Sequence, residues 1–341
     1  MLAIDKEVKT IQIPVLVSLV TYNEELFLAR CLESLENQTA EVCVRIFDNA
    51  SQDATRDIAR KFGVNLHESK KNRGYSFGHN KNLAGSDFEI ALLLNADVVL
   101  CPDYVEILLA TLDKVDSVGM VGGKLYRMNE NGEKVFRRGV PVLDSTGIFF
   151  TPSQRHFDRG SEEEDRGQYD RRQLVFGITG AALMCRKEML EDISMEGEYL
   201  DEDFFIYRED ADLAWRAQLR GWKAVYDPGA KALHCRHVLP SRRRELSQFI
   251  NYHSLKNRYL MRKKNLDAAV RWRCFPYMWI RDLAILCYVV LFERSSLSAY
   301  RDVWRLRQKF FNKRKHLQTL RRVNSRAIAD WFSFTPAARD L

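Results

Sequence analysis

The chain has 341 residues, 46% apolar and 11% aromatic, enough to fill one large domain or a domain with an appendage. That composition excludes a disordered chain, and seven scattered cysteines without a CxxC pair exclude a disulfide scaffold or a cysteine zinc site. The net charge of +7 is unevenly placed: residues 245–341 carry 20 Lys and Arg against 7 Asp and Glu, which leaves −6 on residues 1–244.

Residues 1–12 are polar and mixed in charge, so no signal peptide is expected, and the thiols are expected to be buried in a reducing compartment. Residues 14–20 read as a buried strand ending in Thr21-Tyr22-Asn23-Glu24. A helix follows with Leu28, Cys31, Leu32 and Leu35 on one face. Residues 42–47 form a second expected strand, ending in Asp48-Asn49-Ala50-Ser51, and Gly63 stops the helix after it. A short strand over 64–68 leads to the turn Asn72-Arg73-Gly74-Tyr75 and a helix carrying His79, Asn80 and Asn82. The most apolar run starts at Phe88 and reads as a strand buried on both faces, ending in Asn95-Ala96-Asp97. Pro102 then opens an amphipathic helix to about Val115.

This alternation predicts an α/β fold: a doubly wound, mostly parallel sheet with helices on both faces. Ligands bind outside the carboxyl ends of the strands in such sheets. Three strand ends there carry Thr21/Asn23/Glu24, Asp48/Asn49 and Asn95/Asp97. No GxGxxG follows the first strand, and Gly119–Lys124 is too short for a P-loop, so neither a dinucleotide nor a Walker-type ATP site is expected. A carboxylate such as Asp48 can accept the N3–H of a pyrimidine. Asp97 can help hold a hard cation, Mg²⁺ or Mn²⁺, under a diphosphate. Each residue alone is also an ordinary turn former; three such ends on one rim carry the reading.

Further on, residues 124–150 read as short strands with a turn near Asn129–Gly132. Residues 153–172 are charged and punctuated by glycine, and a mobile loop is expected. Residues 174–185 read as one buried strand interrupted by Gly177 and Gly180, where a ligand or another backbone approaches closely. A helix over about 209–220 packs through Leu213, Trp215 and Leu219 and stops at Gly221. Glu209, Asp210 and Asp212 crowd its first turn. Compensation of the helix dipole, about 0.3–1 kcal/mol per acid, explains acids there but not the apolar lead-in Phe204-Phe205-Ile206-Tyr207. An acid held in such a half-buried cleft is a candidate general base, and the residues themselves do not rank the three. A lone histidine after a strand is usually a core hydrogen-bonding residue; His234 becomes a ligand candidate if it faces Asp97.

With these pieces in order, the chain resembles an inverting, nucleotide-sugar-dependent glycosyltransferase of family 2, with the GT-A fold. The matching runs are Thr21-Tyr-Asn-Glu24, Asp48-Asn-Ala-Ser51, Asn72-Arg-Gly74 with Asn80, Leu94-Asn-Ala-Asp97, Thr179-Gly-Ala-Ala182 and Phe204 to Leu213. Within the family, Phe157-Asp-Arg-Gly160 through Asp170, followed by Val175-Phe-Gly177, is similar to a segment of bacterial rhamnosyltransferases. The resemblance implies that Asp48 reads the base, Thr21, Asn23, Glu24 and Asn49 line the nucleotide pocket, and Arg73, Gly74 and Asn80 lie near base or diphosphate. It places Asn95 and Asp97 at the family's DxD motif, with Asn95 replacing the first acid and Asp97 and His234 as metal ligands for Mg²⁺ or Mn²⁺. It ranks Asp210 as catalytic base, with Thr179, Gly180 and Glu209 on the sugar or acceptor side. The implied reaction transfers a sugar, L-rhamnose from dTDP-rhamnose as first choice and another dTDP- or UDP-sugar as alternative, to a surface polysaccharide or lipid-linked glycan.

Residues 241–341 lie outside the match and are expected to form a basic helical extension to a catalytic domain of residues 1–240. Arg281 and Asp282 interrupt the apolar run 274–292, so it is expected to lie on an anionic membrane surface and not to span it. Packing on the catalytic body or on a second copy of the chain is the alternative. A cytoplasmic protein, peripheral on the inner face of the plasma membrane and acting on a polyprenyl-linked acceptor, follows from family and charge together. The basic tail also raises a nucleic-acid-binding reading, but no recognition motif accompanies it and the body is acidic, so no nucleic acid is expected.

Overall fold

The structure, a computed structural model, describes residues 14–114, 117–236 and 246–340. The amino-terminal stretch, the Arg242–Arg244 run and the expected boundary at 240/241 lie outside the described residues.

The amino-terminal half alternates as expected: β1 (Val15–Thr21), α1 (Leu28–Glu36), β2 (Val42–Asp48), α2 (Thr55–Lys61), β3 (Asn65–Glu68), α3 (Tyr75–Leu83), β4 (Ile90–Leu94), β5 (Val98–Leu100) and α4 (Tyr104–Leu112). Strands β3, β2, β1 and β4 run parallel in that spatial order. The register sets Thr21 opposite Asp48 and Leu19 opposite Leu94, so residues 21–24, 48–51 and 95–97 leave the sheet at one rim.

The sheet continues through β13 (Ala182–Arg186), β6 (Val118–Arg127), β14 (Lys223–His234) and β12 (Gln173–Val175). Strand β13 is antiparallel to both β4 and β6, while β14 is parallel to β6. Near its end β14 turns onto β5, with His234 opposite Val98, and that pairing carries the histidine alongside Asp97. One face of the sheet packs α1 and α4 through Leu28, Leu32, Val105 and Leu108. The other buries α5 (Lys187–Asp192) and α6 (Glu209–Arg220) through Met189, Leu213 and Trp215.

Two sequence expectations change here. Residues 174–185 are two strands, β12 and β13, joined by a link that carries Thr179 and Gly180 to the rim. Gly177 faces Ala214 at a distance where a Cβ would lie only 2.3 Å away, so close helix–sheet packing explains it. Residues 153–172 are also not a free loop. Short strands β7 (Phe136–Arg137) and β8 (Val140–Pro141) pair, β9 (Leu143–Ser145) joins β6, and β10 (Ile148–Phe150) pairs β11 (His156–Asp158). The buried ammonium of Lys124 lies 3.0 Å from Asp165 and 2.5 Å from Asp170, which pins the charged stretch to the sheet. A charge run looks solvated in sequence when its buried partner lies 41–46 residues away. The cysteine expectation holds in part: Cys31, Cys185, Cys235 and Cys274 are buried and unpaired, but Cys43 and Cys287 are exposed.

The carboxyl-terminal residues form α7 (Gln248–Asn265), α8 (Ala268–Phe292), α9 (Leu297–Arg305), α10 (Arg307–Leu320), α11 (Ser325–Ala329) and β15 (Arg339–Asp340). Ser247 and Asp267 cap α7 and α8 by accepting the amides of Ile250 and Val270. These helices share the main core, where Leu260, Met261 and Phe310 join Phe204, and Trp331 and Phe332 join Trp215. Strand β15 pairs β12 and so extends the sheet itself. Much of the basic charge is spent inside: Lys264 lies 2.5 Å from Asp201 and 2.8 Å from Asp212, and Lys313 lies 2.7 Å from Asp201. Only the remaining surface cations can meet a polyanion.

Helix α8 is continuous over 25 residues, so by length and composition it could cross a membrane, contrary to the expectation from Arg281 and Asp282. It runs antiparallel along α7, with Arg262 at 2.8 Å from Asp282 and Ile285 and Val289 packed near Leu255. Its other face is bare: Trp272 is 76% and Trp279 59% exposed, beside Ile280, Leu291 and Phe292.

Candidate active site

A cleft of about 1060 Å³ opens at the strand rim and extends to α7 and α8. Thr21, Glu24, Asn49, Gly74, Asn95 and Asp97 line it, and so do Thr179, Gly180, Glu209, Asp210 and His234. Asp97, Asp210 and His234, distant in sequence, thus face one space.

At the Asp97 end, the Oδ1 of Asp97 lies 3.4 Å from the Nε2 of His234. The other ring nitrogen, Nδ1, is 2.7 Å from Asp144, which is wholly buried. Asp144 in turn accepts from Arg236 at 2.8 and 3.0 Å, and Arg236 donates to Asp158 at 2.6 Å. Arg236 and His234 hold Asp144 well below the usual carboxylate range despite the opposing penalty of burial. Burial opposes protonation of His234, but Asp144 and then Asp97 outweigh it and raise its pKa to about 9. Without a cation both ring nitrogens thus carry protons near neutral pH; a cation that displaces the Nε2 proton would find the ring aimed by Asp144, the usual support for a metal-bound histidine. The donor set fits a divalent ion with one carboxylate oxygen and one imidazole nitrogen. Among the described residues no cluster of three His, Cys, Asp or Glu ligands forms, which leaves the remaining positions to phosphate oxygens and water. Nearby, burial and then Asp97 raise the Glu24 carboxyl to about 8.

The turn residues build the wall beside it. The side-chain amide of Asn49 donates to the carbonyl of Gly74 and its oxygen accepts the amide of Arg73, clamping that turn. Gly74 has φ +92°, and a Cβ there would sit 2.6 Å from the carbonyl oxygen of Phe205. Only glycine suits both demands. The hydroxyl of Tyr75 lies 2.9 Å from the Oδ1 of Asn95 and 3.0 Å from the Gly180 carbonyl, bridging two rim segments. Asn23 sits outside the cleft lining, holding Ser51 and Gln52.

Three expected contacts are placed otherwise. Asp48 is fully buried, 2.5 Å from Arg56 and 3.2 Å from the Thr21 hydroxyl, so its carboxylate is occupied within the protein. The amide of Asn80 is spent on Leu200 and Glu202, cross-linking α3 to the segment before α6. Arg73 stacks its guanidinium 4.0 Å above the ring of Phe77.

At the other end, Asp210 opens α6. Its Oδ2 accepts the amide of Gly180 at 3.0 Å, and its Oδ1 accepts the amide of Ala211 at 2.7 Å. Burial raises its pKa, against those two amides. Glu209 is buried with an unpartnered Oε2, and burial, reinforced by Asp210, lifts it to about 8. Asp212 is the acid that the geometry removes. It is wholly buried and bound to Arg216, Lys264 and Asn265. The lead-in is strained, with φ of +67° at Phe205, +68° at Tyr207 and +73° at Arg208. Asn257 of α7 holds it by donating to the carbonyls of Phe204, Ile206 and Tyr207 at 2.8–2.9 Å.

Sequence reasoning missed Asp144, Arg236 and Asn257. An acid inside the apolar run Val142-Leu143-Asp144 was the available signal for the first. Nothing local marks Asn257 among the polar residues of α7.

Residues 17–194, just over half of the chain, match the family described as Glycosyl transferase family 2. The N-acetylglucosaminyl-diphospho-decaprenol L-rhamnosyltransferase of Mycobacterium tuberculosis is 27% identical over 297 residues, 82% of this chain and 92% of that protein. Rhamnosyltransferase WbbL of Escherichia coli is 23% identical over 74% of this chain and 95% of its own. Among solved structures, the mannosyltransferase PcManGT of Pyrobaculum calidifontis, in complex with GDP-Man and Mn²⁺, is similar with a TM-score of 0.51 at 15% identity, over 91% of this chain and 86% of that one. With that family match over just over half of its length, the chain belongs to glycosyltransferase family 2.

Proposed function

We propose that the protein transfers a sugar from a pyrimidine nucleoside diphosphate, L-rhamnose from dTDP-rhamnose, to a lipid-linked glycan, with inversion. The observation that carries this is the single cleft in which Asp97 and His234 face Asp210. The rhamnosyltransferase names of two relatives that align along most of the chain support the donor sugar, and the decaprenol-linked name of one supports the acceptor. Asp97 and His234 would hold Mg²⁺ or Mn²⁺, which offsets charge on the leaving diphosphate. PcManGT, which has a related fold, was solved with Mn²⁺.

Asp210 accepts the proton of the acceptor hydroxyl while Gly180 and Ala211 fix its two oxygens. The acceptor oxygen bonds to the anomeric carbon as the bond to the diphosphate oxygen breaks, and the electron pair leaves with the diphosphate. The raised carboxyl pKa suits a group that takes up a proton. Thr21, Glu24 and Asn49 flank the donor end, where a base can stack and hydrogen-bond. The exposed apolar face of α8, with its tryptophans, together with an opposite face packed on α7 through the Arg262–Asp282 pair, supports a helix lying in the headgroup layer on the cytoplasmic side and not crossing the membrane.

The test is a panel of dTDP- and UDP-sugars, scored by thermal stabilisation and hydrolysis with and without Mn²⁺, with Asp97→Ala as control. Stabilisation by dTDP-rhamnose that needs Mn²⁺ and is lost in Asp97→Ala is expected. No response to any donor ends the reading. A response to a UDP-sugar alone moves the donor but keeps the reaction.

A further inference from the structure

Tyr75, at the start of α3, touches both ends of the cleft. Its ring packs edge-on against the buried ring of His79, with centroids 4.3 Å apart, and its backbone amide donates to the Phe205 carbonyl at 2.6 Å. The ring is thus held by packing, which leaves the hydroxyl to a separate task. That hydroxyl lies 2.9 Å from the side-chain amide of Asn95 and 3.0 Å from the carbonyl of Gly180. Gly180 in turn gives its own amide to the Oδ2 of Asp210 at 3.0 Å. The approach is close on both sides: a Cβ on Gly180 would lie 3.3 Å from the Cβ of Asp210 and 3.7 Å from the Tyr75 hydroxyl.

A phenol has one proton to give. Burial, then Glu209 and Asp210, raise the pKa of Tyr75 well above its ordinary value, so the proton stays. The Gly180 carbonyl can only accept, and so can the oxygen of an amide. Both contacts are therefore satisfied in one arrangement: the phenol donates to Gly180, and the nitrogen of the Asn95 amide donates to the phenol. The oxygen is then the amide atom turned away from the phenol, in a residue that lines the cleft. An aspartate at this position could not complete the chain. An ionised carboxylate only accepts, and it would compete with Gly180 for the single proton. Gly180 needs such a pin, because it has no side chain to limit its rotation.

We propose that Tyr75 is a positioning residue for the transfer: its hydroxyl carries a directed hydrogen bond from Asn95 to Gly180 and so keeps the Gly180 amide on Asp210. The effect on turnover rests on the transferase reading, whereas the direction of the hydrogen bonds does not. The link joins the strand end that carries Asp97 to the base. Asn95 and Asp97 leave β4 together, and the backbone amide of Asn95 also donates to the Ala181 carbonyl at 2.9 Å. A donor seated at Asp97 and an acceptor hydroxyl at Asp210 are thereby held to one geometry, which is what a single displacement demands.

The experiment compares Tyr75→Phe, Asn95→Asp and the double variant of the full chain, at about pH 9 so that an added carboxyl is ionised. One readout is hydrolysis of the dTDP- or UDP-sugar that the donor panel selects, at saturating Mn²⁺. The other, without ligands, is hydrogen exchange of the Gly180 amide. Tyr75→Phe keeps the ring on His79 and is expected to lower kcat about tenfold with donor KM within about twofold, the size of one lost hydrogen bond. Asn95→Asp should lower kcat to a similar extent, and the double variant hardly further, because each change breaks the same link. Both single variants should quicken exchange at Gly180. The proposal is overturned if the two losses in kcat multiply, or if kcat in Tyr75→Phe matches the parent. It is overturned too if Asn95→Asp exchanges and turns over like the parent, which would mean that the phenol already donates to residue 95. Faster exchange in both variants of a chain that hydrolyses no donor would sink the transferase reading and leave the link standing; hydrolysis with parent-like exchange in both does the reverse.

Discussion

The carboxylate of Asp144 lies 2.7 Å from the Nδ1 of His234, and this leaves Nε2 as the ring atom that faces Asp97. The role of Asp144 is therefore to fix the ring's direction and to keep the proton on Nδ1 when a cation displaces the one on Nε2. Asp144→Asn is expected to keep the hydrogen bond in only one amide orientation and to leave Arg236 short of a buried counter-charge. Mn²⁺ affinity in the presence of a nucleoside diphosphate should fall about 10–100-fold, as for other partners of metal-bound histidines. Titration of free Mn²⁺ by electron paramagnetic resonance checks this, and an unchanged affinity would show that His234 takes no part in holding the ion.

Asp210 and Asp212 stand two residues apart on α6 and should fail in opposite ways. Asp210→Asn removes the basic group and keeps only one of the two oxygens that accept the Gly180 and Ala211 amides, so turnover should drop about 10²–10⁴-fold at a stability cost of about 1–3 kcal/mol. Asp212→Asn strips charge from a buried set shared with Lys264 and Arg216, so it should cost about 3–5 kcal/mol of stability. Denaturant unfolding beside turnover measurements separates the two. Equal destabilisation would return Asp212 to contention as the base.

The contrast between these acids shows what the sequence could and could not disclose. Strand periodicity placed Thr21, Asn95 and Asp97 on one rim because a parallel sheet sends all its strand ends to one side. The meeting of His234 with Asp97 was legible only through resemblance, since it depends on the end of β14, after a bulge, pairing β5 on one edge while it stays paired to β6 on the other. Asp48 and Asn80 have the residue types of ligand contacts, yet their partners here are Arg56 and the Leu200–Glu202 segment. No local pattern ranks a nucleobase against an arginine eight residues away. The basic tail misled most, because Lys264 and Lys313 look like surface charge until Asp201 and Asp212 fold over them.

Glu209 makes stability depend on pH. Its folded pKa of about 8 lies above the ordinary value of about 4.3, so the folded protein binds the proton more tightly than the unfolded chain. The stabilising contribution is complete below the ordinary glutamate pKa and is lost as pH rises through the folded value. Stability should therefore decline between about pH 4.5 and 8. Glu209→Gln cannot ionise and should make that slope shallower, leaving the share of Glu24, whose carboxyl is also raised to about 8, as read by urea unfolding at fixed pH steps. A slope identical to the parent's would mean that the carboxyl is already ionised in the fold.

Gly74 and Phe205 touch across the cleft wall, so Gly74→Ala forces either a strained φ or a clash with the Phe205 carbonyl. A loss of about 1–3 kcal/mol is expected, together with weaker nucleotide binding, because Asn49 holds the same turn. Thermal unfolding and dTDP titration read the two effects, and a fully stable variant would show that the turn relaxes freely.

Asn257 tests whether the carboxyl-terminal helices serve the chemistry as well as the fold. One side-chain amide satisfies carbonyls of Phe204, Ile206 and Tyr207, in a stretch with three left-handed non-glycine residues. Without that donor the stretch should relax toward ordinary dihedrals, and Asp210 begins two residues after its last strained position. Asn257→Ala should therefore lower kcat at least tenfold while donor KM changes little, and amide hydrogen exchange should quicken at Phe205–Glu209. Asn257→Asp has nearly the same size, but an ionised carboxylate donates nothing and would face carbonyl oxygens, so it should be no better than alanine. Recovery of kcat in the aspartate variant would show that shape alone, not donation, holds the base in line.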